Sequence, residues 1–160
     1  MTSGMSTCPT HETKRSPAMN THHDDFYGWT QEQARLLKTG QFQQLDIEHL
    51  VEELECMGAR ERRELANRLA VLLAHLLKWQ YQPERRGRSW MFTIKTQRFD
   101  ARTVLQQNPG IRPLLPEILE NAYYKARLSA AKQTGREETA FPNVCPWSVA
   151  EILEDGFWAE

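Results

Sequence analysis

The apolar positions between residues 65 and 77 follow the period of an α-helix. They recur at i, i+4, i+7, i+8, i+11 and i+12, which places them on one wide stripe, and the segment is too long for a strand. These positions are Leu65, Leu69, Leu72, Leu73, Leu76 and Leu77. Pro83 cannot continue the helix, because it has no N–H to donate and its ring clashes with the preceding turn. We therefore predict a buried helix that ends at or just before Pro83.

Capping and turn residues mark the ends of two predicted helices that precede this one. Thr30-Gln31-Glu32-Gln33 has the form of a capping box, and Gly40 suits a left-handed helix stop, so a first helix is expected over about residues 31–39. Asp46 is the predicted N-cap of a second helix. Its apolar stripe consists of Ile47, Leu50, Val51, Leu54 and Met57. Gly58 is predicted to break this helix before the leucine-rich one begins.

Three more helices follow the leucine-rich segment. Ser89 is the predicted N-cap of a fourth helix, which ends before Asn108. A fifth is expected to begin near Pro113 and to end at Gly135. Its predicted buried face is Leu114, Leu115, Ile118, Leu119, Ala122, Ala126 and Ala130. A capping box at Ser148-Val149-Ala150-Glu151 opens a short last helix to about Glu154.

No stretch alternates with a period of two, so the predicted fold class is all-α. The chain has 160 residues, of which 40% are hydrophobic, enough for one core. We expect a single compact bundle over residues 23–160, with about five main helices and a short C-terminal one. Residues 1–22 are poor in apolar side chains and are expected to form a disordered tail. Met19 offers an alternative translation start, a hypothesis that N-terminal sequencing tests.

Seven strings in order and spacing closely resemble the domain of unknown function family 29, over about residues 25–160. They are DFYGWTQEQARLL, LVEELECMG, RLAVLLAHLLKWQYQP, RRGRSW, TIKTQR, FPNVCPW and DGFW. The resemblance implies a compact all-α fold found largely in bacteria, and it implies no established activity, substrate or cofactor. The sequence departs from the family pattern at His49, where Asn is usual, at Gln133, where Glu is usual, and at Ala159, where Pro is usual.

Charge and cysteine content narrow the class of protein further. Lys plus Arg number 20 and Asp plus Glu number 21, so the net charge of -1 provides no global attraction to nucleic acid or anionic lipid. No segment has the roughly 20 apolar residues of a membrane span. The three cysteines form no CxxC pair, and no apolar signal region is present. A reducing cytoplasm is the expected compartment.

Carboxylates and histidines raise the question of a metal site. The second helix carries five carboxylates, Glu52 and Glu53 among them, and His75 lies on the leucine-rich helix. Helical bundles hold metal pairs with repeated Glu-x-x-His motifs, and the sequence has none. We therefore expect His75 to be a core histidine hydrogen-bonded to a neighbouring carboxylate. The run His22-His23-Asp24-Asp25, beside the tail, favours adventitious metal binding over a defined site. No metal or cofactor is expected.

The segment 78–98 combines positive charge with aromatic rings. Its basic residues are Lys78, Arg85, Arg86, Arg88, Lys95 and Arg98, interleaved with Trp79, Tyr81 and Trp90. Such a combination suits the binding of nucleic acid, because arginines contact the phosphate backbone and aromatic rings stack on unpaired bases. It equally suits arginines that pair with Glu52 or Glu53 and stack on Trp79 or Trp90, and the opposite charges of the two segments favour this second interpretation. Cys145 is expected to be a packing residue, because neither a second cysteine nor an activating histidine lies near it in the sequence.

The candidate polar cluster, functional or structural, is Glu52, Glu53, His75, Trp79, Tyr81, Arg85, Arg86, Arg88 and Trp90. No catalytic residue is assigned, because the sequence shows no nucleophile, phosphate-binding loop or metal-ligand spacing. The leading hypothesis is a non-enzymatic helical module that binds another macromolecule of unknown identity, for which a protein is one candidate and nucleic acid is not favoured. The alternative is a nucleic-acid-associated protein, with or without enzymatic activity, that uses the turn 78–98.

Overall fold

The computed structural model describes residues 21–160 and shows helices but no strands in that part of the chain. The predicted all-α fold class is confirmed. The α-helices are α1 (Phe26–Lys38), α2 (Ile47–Tyr81), α3 (Arg88–Gln107), α4 (Leu115–Thr134) and α5 (Val149–Leu153). Short 3-10 turns lie at Phe42–Gln44, Pro83–Arg85, Pro109–Leu114 and Glu138–Ala140. Met19 and most of the predicted tail lie outside the described residues.

The chain divides into two compact units, the first ending at Ala59 and the second spanning Arg60–Glu160. The prediction of one domain over residues 23–160 stays a prediction. Across residues 21–160, no helix combines the length and apolar character that a membrane span requires.

The predicted break at Gly58 was wrong. Helix α2 runs without interruption from Ile47 to Tyr81, so the predicted second and third helices are one helix of 35 residues. A glycine inside a helix costs about 0.5–1 kcal/mol relative to alanine, which weakens a helix without ending it. Because helical periodicity resumes directly after Gly58, the neighbouring turns support the helix through this position.

Helix α1 begins earlier than the sequence predicted. The side chain of Asp25 accepts a hydrogen bond of 2.8 Å from the amide of Gly28 and caps the helix there. The Thr30 capping box was therefore wrong, and the Thr30 hydroxyl instead donates to the carbonyl of Tyr27 at 2.8 Å. The left-handed stop at Gly40 is confirmed by its φ of 70°. Asp46 is confirmed as the cap of α2, because its Oδ1 accepts from the amide of His49 at 3.4 Å.

The core of the second unit forms around the C-terminal half of α2. The predicted stripe is confirmed, since all six of its leucines are at most 1% exposed. α3 contributes Ile94, Ala101 and Leu105, while α4 contributes Ile118, Ala122, Ala126 and Ala130. Phe141, Trp147 and Ile152 complete this core from the C-terminal segment.

Helix ends in the second unit follow most of the predictions. α2 ends at Tyr81, before Pro83, and α3 ends at Gln107, before Asn108, as predicted. The Ser89 cap was wrong, because α3 begins at Arg88 with an extended Gly87 before it, which places Ser89 inside the first turn. α4 begins at Leu115 rather than near Pro113, which lies in the preceding 3-10 turn. The stop at Gly135 and the Ser148–Glu151 capping box are confirmed.

Candidate functional site

Arg85, Arg86 and Arg88, named here the arginine turn, connect α2 to α3. Arg85 and Arg88 are exposed, while Arg86 is half-buried. The Nε of Arg86 donates a 2.7 Å hydrogen bond to the carbonyl of Trp79, and its guanidinium carbon lies 5.3 Å from the centroid of the Trp79 ring. Arg86 therefore satisfies a carbonyl in the last turn of α2, a position where a cation also complements the helix dipole.

Carboxylate partners of the arginine turn are absent from the second unit. Within residues 60–160, Arg85, Arg86 and Arg88 form no ion pair, and Arg88 instead lies 5.9 Å from the ring centroid of Phe92. The predicted pairing of these arginines with Glu52 or Glu53 was based on the opposite charges of the two segments. That pairing stays a prediction.

His75 and Lys78 belong to a polar network in the second unit. The prediction that His75 bonds to a carboxylate was wrong, because its Nδ1 donates to the carbonyl of Val71 at 2.9 Å, one turn back on the same helix. The buried Lys78 lies 3.4 Å from His75 Nε2 and donates to Gln133 Oε1 at 2.6 Å. It also lies 4.8 Å from the centroid of the Trp90 ring. Burial lowers the pKa of Lys78, and burial together with the Lys78 charge lowers the pKa of His75.

Arg98 is fully buried and donates only to main-chain carbonyls, those of Ile152, Asp155 and Phe157. Two of the six basic residues of segment 78–98, Lys78 and Arg98, are therefore buried. The basic surface of this segment consists of Arg85, Arg86, Arg88 and Lys95.

Three aromatic side chains of this segment, Trp79, Tyr81 and Trp90, are half-buried and pack against other parts of the second unit. The ring centroid of Trp79 lies 4.8 Å from that of Trp158, and the centroid of Tyr81 lies 5.0 Å from that of Phe141. Trp90 packs under the ammonium of Lys78. Packing thus occupies much of the surface of these three rings.

The half-buried Cys145 lies in the C-terminal segment. Its Sγ donates to the carbonyl of Trp147 at 3.4 Å, and burial raises the pKa of the thiol. A thiol with a raised pKa is a poor nucleophile at neutral pH. These observations support the predicted packing role.

The first unit contains a group that the sequence did not predict, the histidine cluster of His22, His23 and His49. His22 is only 1% exposed, although the sequence places it beside the tail. Its ring stacks on that of His49, with centroids 4.5 Å apart, and His23 meets both rings edge-on. One ligand nitrogen of each histidine lies within 4.8 Å of the others.

Two carboxylates hold the cluster. Glu53 Oε1 lies 2.6 Å from His22 Nε2, while Asp46 Oδ2 lies 2.8 Å from His49 Nδ1 and also accepts from Trp29 Nε1 at 3.0 Å. Desolvation acts to raise the pKa of Asp46, but the hydrogen bonds from Trp29 and His49 outweigh it and lower that pKa. The hydrogen bond to Asp46 raises the pKa of His49, against the opposing effect of desolvation.

The first unit also has an apolar groove of about 250 Å³ between α1 and the first turns of α2, named here the α1/α2 groove. Its apolar lining includes Phe26, Trp29, Leu37, Leu50, Leu54 and Met57. Leu37, Leu54 and Met57 are 49%, 65% and 58% exposed, so the groove is open to solvent. Glu53 lines the groove as well and connects it to the histidine cluster, whereas Glu52 is exposed.

Comparison with known proteins gives a family and no close relative. A search of curated proteins and a search of solved structures each found no significant match. The family model described as "Domain of unknown function DUF29" matches residues 21–158, which include the arginine turn, the histidine cluster and the α1/α2 groove. The chain belongs to this DUF29 family.

Proposed function

We propose that this protein is a helical interaction module that binds a cationic amphipathic helix of another protein in the α1/α2 groove. The observation that carries the proposal is the exposure of the apolar stripe at the start of α2. Ile47, Leu54 and Met57 on this stripe are 57%, 65% and 58% exposed. A stripe of this kind normally packs against a core, and apolar surface left contiguous at the surface is typical of interaction sites.

The form of the groove suits a helix as the occupant. Leu50, Leu54 and Met57 follow one another at i, i+4 and i+7 and face α1 across the groove. Two helices that present such a row form a trough into which the apolar residues of a third helix pack. Leu37 on α1 provides the opposite wall.

The negative charge beside the groove favours a cationic helix as the partner. Residues 39–59 contain Asp46, Glu48, Glu52, Glu53 and Glu55 and no Lys or Arg. At about 100° of rotation per residue, Glu53 falls on one side of the exposed stripe, and Glu48 and Glu55 fall on the other. A partner that places Lys or Arg beside its apolar face would meet opposite charge on both sides. A second copy of this chain would present the same acidic rim, which disfavours self-association through this face.

The odd number of cysteines, without a CxxC pair, supports a reducing cytoplasm as the compartment in which this module acts. No nucleophile or phosphate-binding motif in the sequence supports catalysis, which favours binding as the activity.

The direct test is calorimetric titration of the full chain with a synthetic amphipathic helix of leucine and lysine. We expect micromolar binding, weakened roughly tenfold or more by Leu54→Ser combined with Met57→Ser. Both side chains are largely exposed, so the double variant should fold normally. The matched control is Phe92→Ser combined with Phe99→Ser, which removes two exposed rings from α3 and should leave this binding unchanged.

Two peptide controls separate shape from charge. A scrambled peptide of the same composition has no apolar face, and a peptide with glutamate in place of lysine has the opposite charge, so both should bind much more weakly. Equal binding of the scrambled peptide, or equal binding by the Leu54/Met57 variant, would overturn the proposal. Sedimentation that shows the chain dimerising through Leu54 and Met57 would overturn it in favour of a second copy as the occupant.

A second candidate function, binding of single-stranded nucleic acid, is favoured by one feature of α3. Arg88, Phe92, Lys95 and Phe99 follow one another at i, i+4, i+7 and i+11, and all four are exposed. Alternating cations and aromatic rings on one helix face suit phosphates and unstacked bases. In a test of this function, the Phe92/Phe99 variant is the one expected to lose binding, and the Leu54/Met57 variant is its control. Oligonucleotide binding at physiological salt that is lost in this variant and retained in the Leu54/Met57 variant would establish this function.

A further inference from the structure

We infer that His22, His23 and His49 form a binding site for a transition metal ion of the zinc type in the first unit. The inference does not depend on the proposed partner helix. It rests on three imidazoles brought together from two separate segments of the chain, with ligand nitrogens within 4.8 Å of one another. Imidazole nitrogen is a ligand that Zn²⁺, Ni²⁺ and Cu²⁺ accept readily, whereas Mg²⁺ and Ca²⁺ prefer oxygen.

The spacing of the nitrogens is close to what a metal requires. Two nitrogens bound at about 2.0–2.1 Å to one tetrahedral Zn²⁺ lie roughly 3.4 Å apart. The three histidines therefore need to approach by little more than an ångström. The stacked rings of His22 and His49 must also turn so that their nitrogens converge, and the torsion that turns a histidine ring has a broad energy profile.

Carboxylates lie where the outer shell of a metal site needs them. A metal-bound histidine usually donates its second ring N–H to a carboxylate or a carbonyl, which fixes its tautomer and orientation. Glu53 is placed to accept from Nε2 of His22, and Asp46 accepts from Nδ1 of His49. With those bonds in place, His22 presents Nδ1 and His49 presents Nε2 to the ion.

The same carboxylates balance the charge of the ion. Asp46 and Glu53 carry two negative charges, equal to the charge of a divalent cation. Trp29 donates to Asp46 and holds that carboxylate in position. Three histidine ligands leave one tetrahedral position for a water molecule or a carboxylate oxygen.

The sequence contains two histidines outside the cluster, His11 and His75, which serve as matched controls. His75 bonds to the carbonyl of Val71 in the second unit. Substitution of either control by Asn should leave metal binding unchanged if the cluster is the site. This comparison excludes binding that depends only on the number of histidines in the chain.

The test is a titration of the untagged full chain with Zn²⁺ against a chromophoric competitor chelator, followed by Co²⁺ titration monitored by visible absorption. We expect one equivalent of Zn²⁺ and a tetrahedral Co²⁺ spectrum. His49→Asn and His23→Asn should each weaken Zn²⁺ binding by roughly tenfold or more, because removal of a ligand costs at least as much as removal of an outer-shell partner. His11→Asn and His75→Asn should match the wild type.

His23 is exposed, so His23→Asn should retain the fold, and far-UV circular dichroism checks this for every variant. Absence of stoichiometric Zn²⁺ binding would overturn the inference. Binding that survives the combined His23→Asn and His49→Asn substitutions, or that falls equally in the two controls, would identify adventitious metal binding and overturn it as well.

Discussion

The Nε of Arg98 donates a 2.8 Å hydrogen bond to the main-chain oxygen of Ile152, which joins the middle of α3 to the last helix of the chain. The same guanidinium donates to the carbonyls of Asp155 at 3.3 Å and Phe157 at 2.9 Å. Because Arg98 is fully buried, it acts as an internal clamp on the C-terminal segment.

We expect Arg98→Met to lower the free energy of unfolding by about 2–5 kcal/mol. Methionine fills much of the same volume, but the carbonyls lose their charged donor, and each buried polar group left without a partner costs about 1–3 kcal/mol. Urea denaturation measures the loss. Arg88→Met is the control, because Arg88 is exposed and its replacement should change stability by no more than about 0.5 kcal/mol. Equal losses for the two variants would contradict a clamp at Arg98.

The position of Arg98 shows what charge alone conceals in a sequence. Arg98 was grouped with the other basic residues of segment 78–98, because a sequence shows charge directly and burial only through periodicity. The periodicity was informative here, since Arg98 follows Ile94 by four positions and precedes Ala101 and Leu105 by three and seven. All four residues are buried on one stripe of α3.

A second prediction concerns the leucine stripe of α2. Leu73→Ala and Leu76→Ala should each lower the free energy of unfolding by about 2–5 kcal/mol, because both side chains are fully buried and their truncation leaves a cavity. Val71→Ala on the same helix is the control. Val71 is 40% exposed, so its loss should stay below about 1 kcal/mol. Thermal melts of both leucine variants within error of the wild type would show that this stripe is not the core.

Local chemistry made several helix ends predictable from the sequence. Asp46, Gly135 and Ser148 act through contacts within three or four residues, and each was identified correctly. The histidine cluster could not be found in this way. His22 and His49 are 27 positions apart and share no helical repeat, so only the packing of the first unit brings them together. The signal in the sequence was the His22-His23 run, whose place beside the tail favoured adventitious metal binding over a defined site.

A third prediction separates the members of the arginine turn. Arg86→Gln should lower the free energy of unfolding by about 0.5–2 kcal/mol, because it removes the hydrogen bond to the Trp79 carbonyl and the cation above the Trp79 ring. Arg85→Gln is the matched control, since Arg85 is exposed and should contribute no more than about 0.5 kcal/mol. Chemical denaturation compares the two variants. A larger loss in the free energy of unfolding for Arg85→Gln than for Arg86→Gln would contradict the structural role of Arg86.

The last prediction tests the continuity of α2 through Gly58. An added Cβ at Gly58 meets no atom within 4 Å, and the position is exposed and helical. Gly58→Ala should therefore stabilise the protein by about 0.5–1 kcal/mol, because alanine loses less backbone entropy in a helix. Gly135→Ala is the contrasting control. An added Cβ there also meets no atom within 4 Å, but φ is +69°, so alanine should destabilise by about 1–2 kcal/mol. If Gly58→Ala destabilised the protein as much as Gly135→Ala, the chain at Gly58 would not be helical. That result would support the helix break that the sequence predicted there.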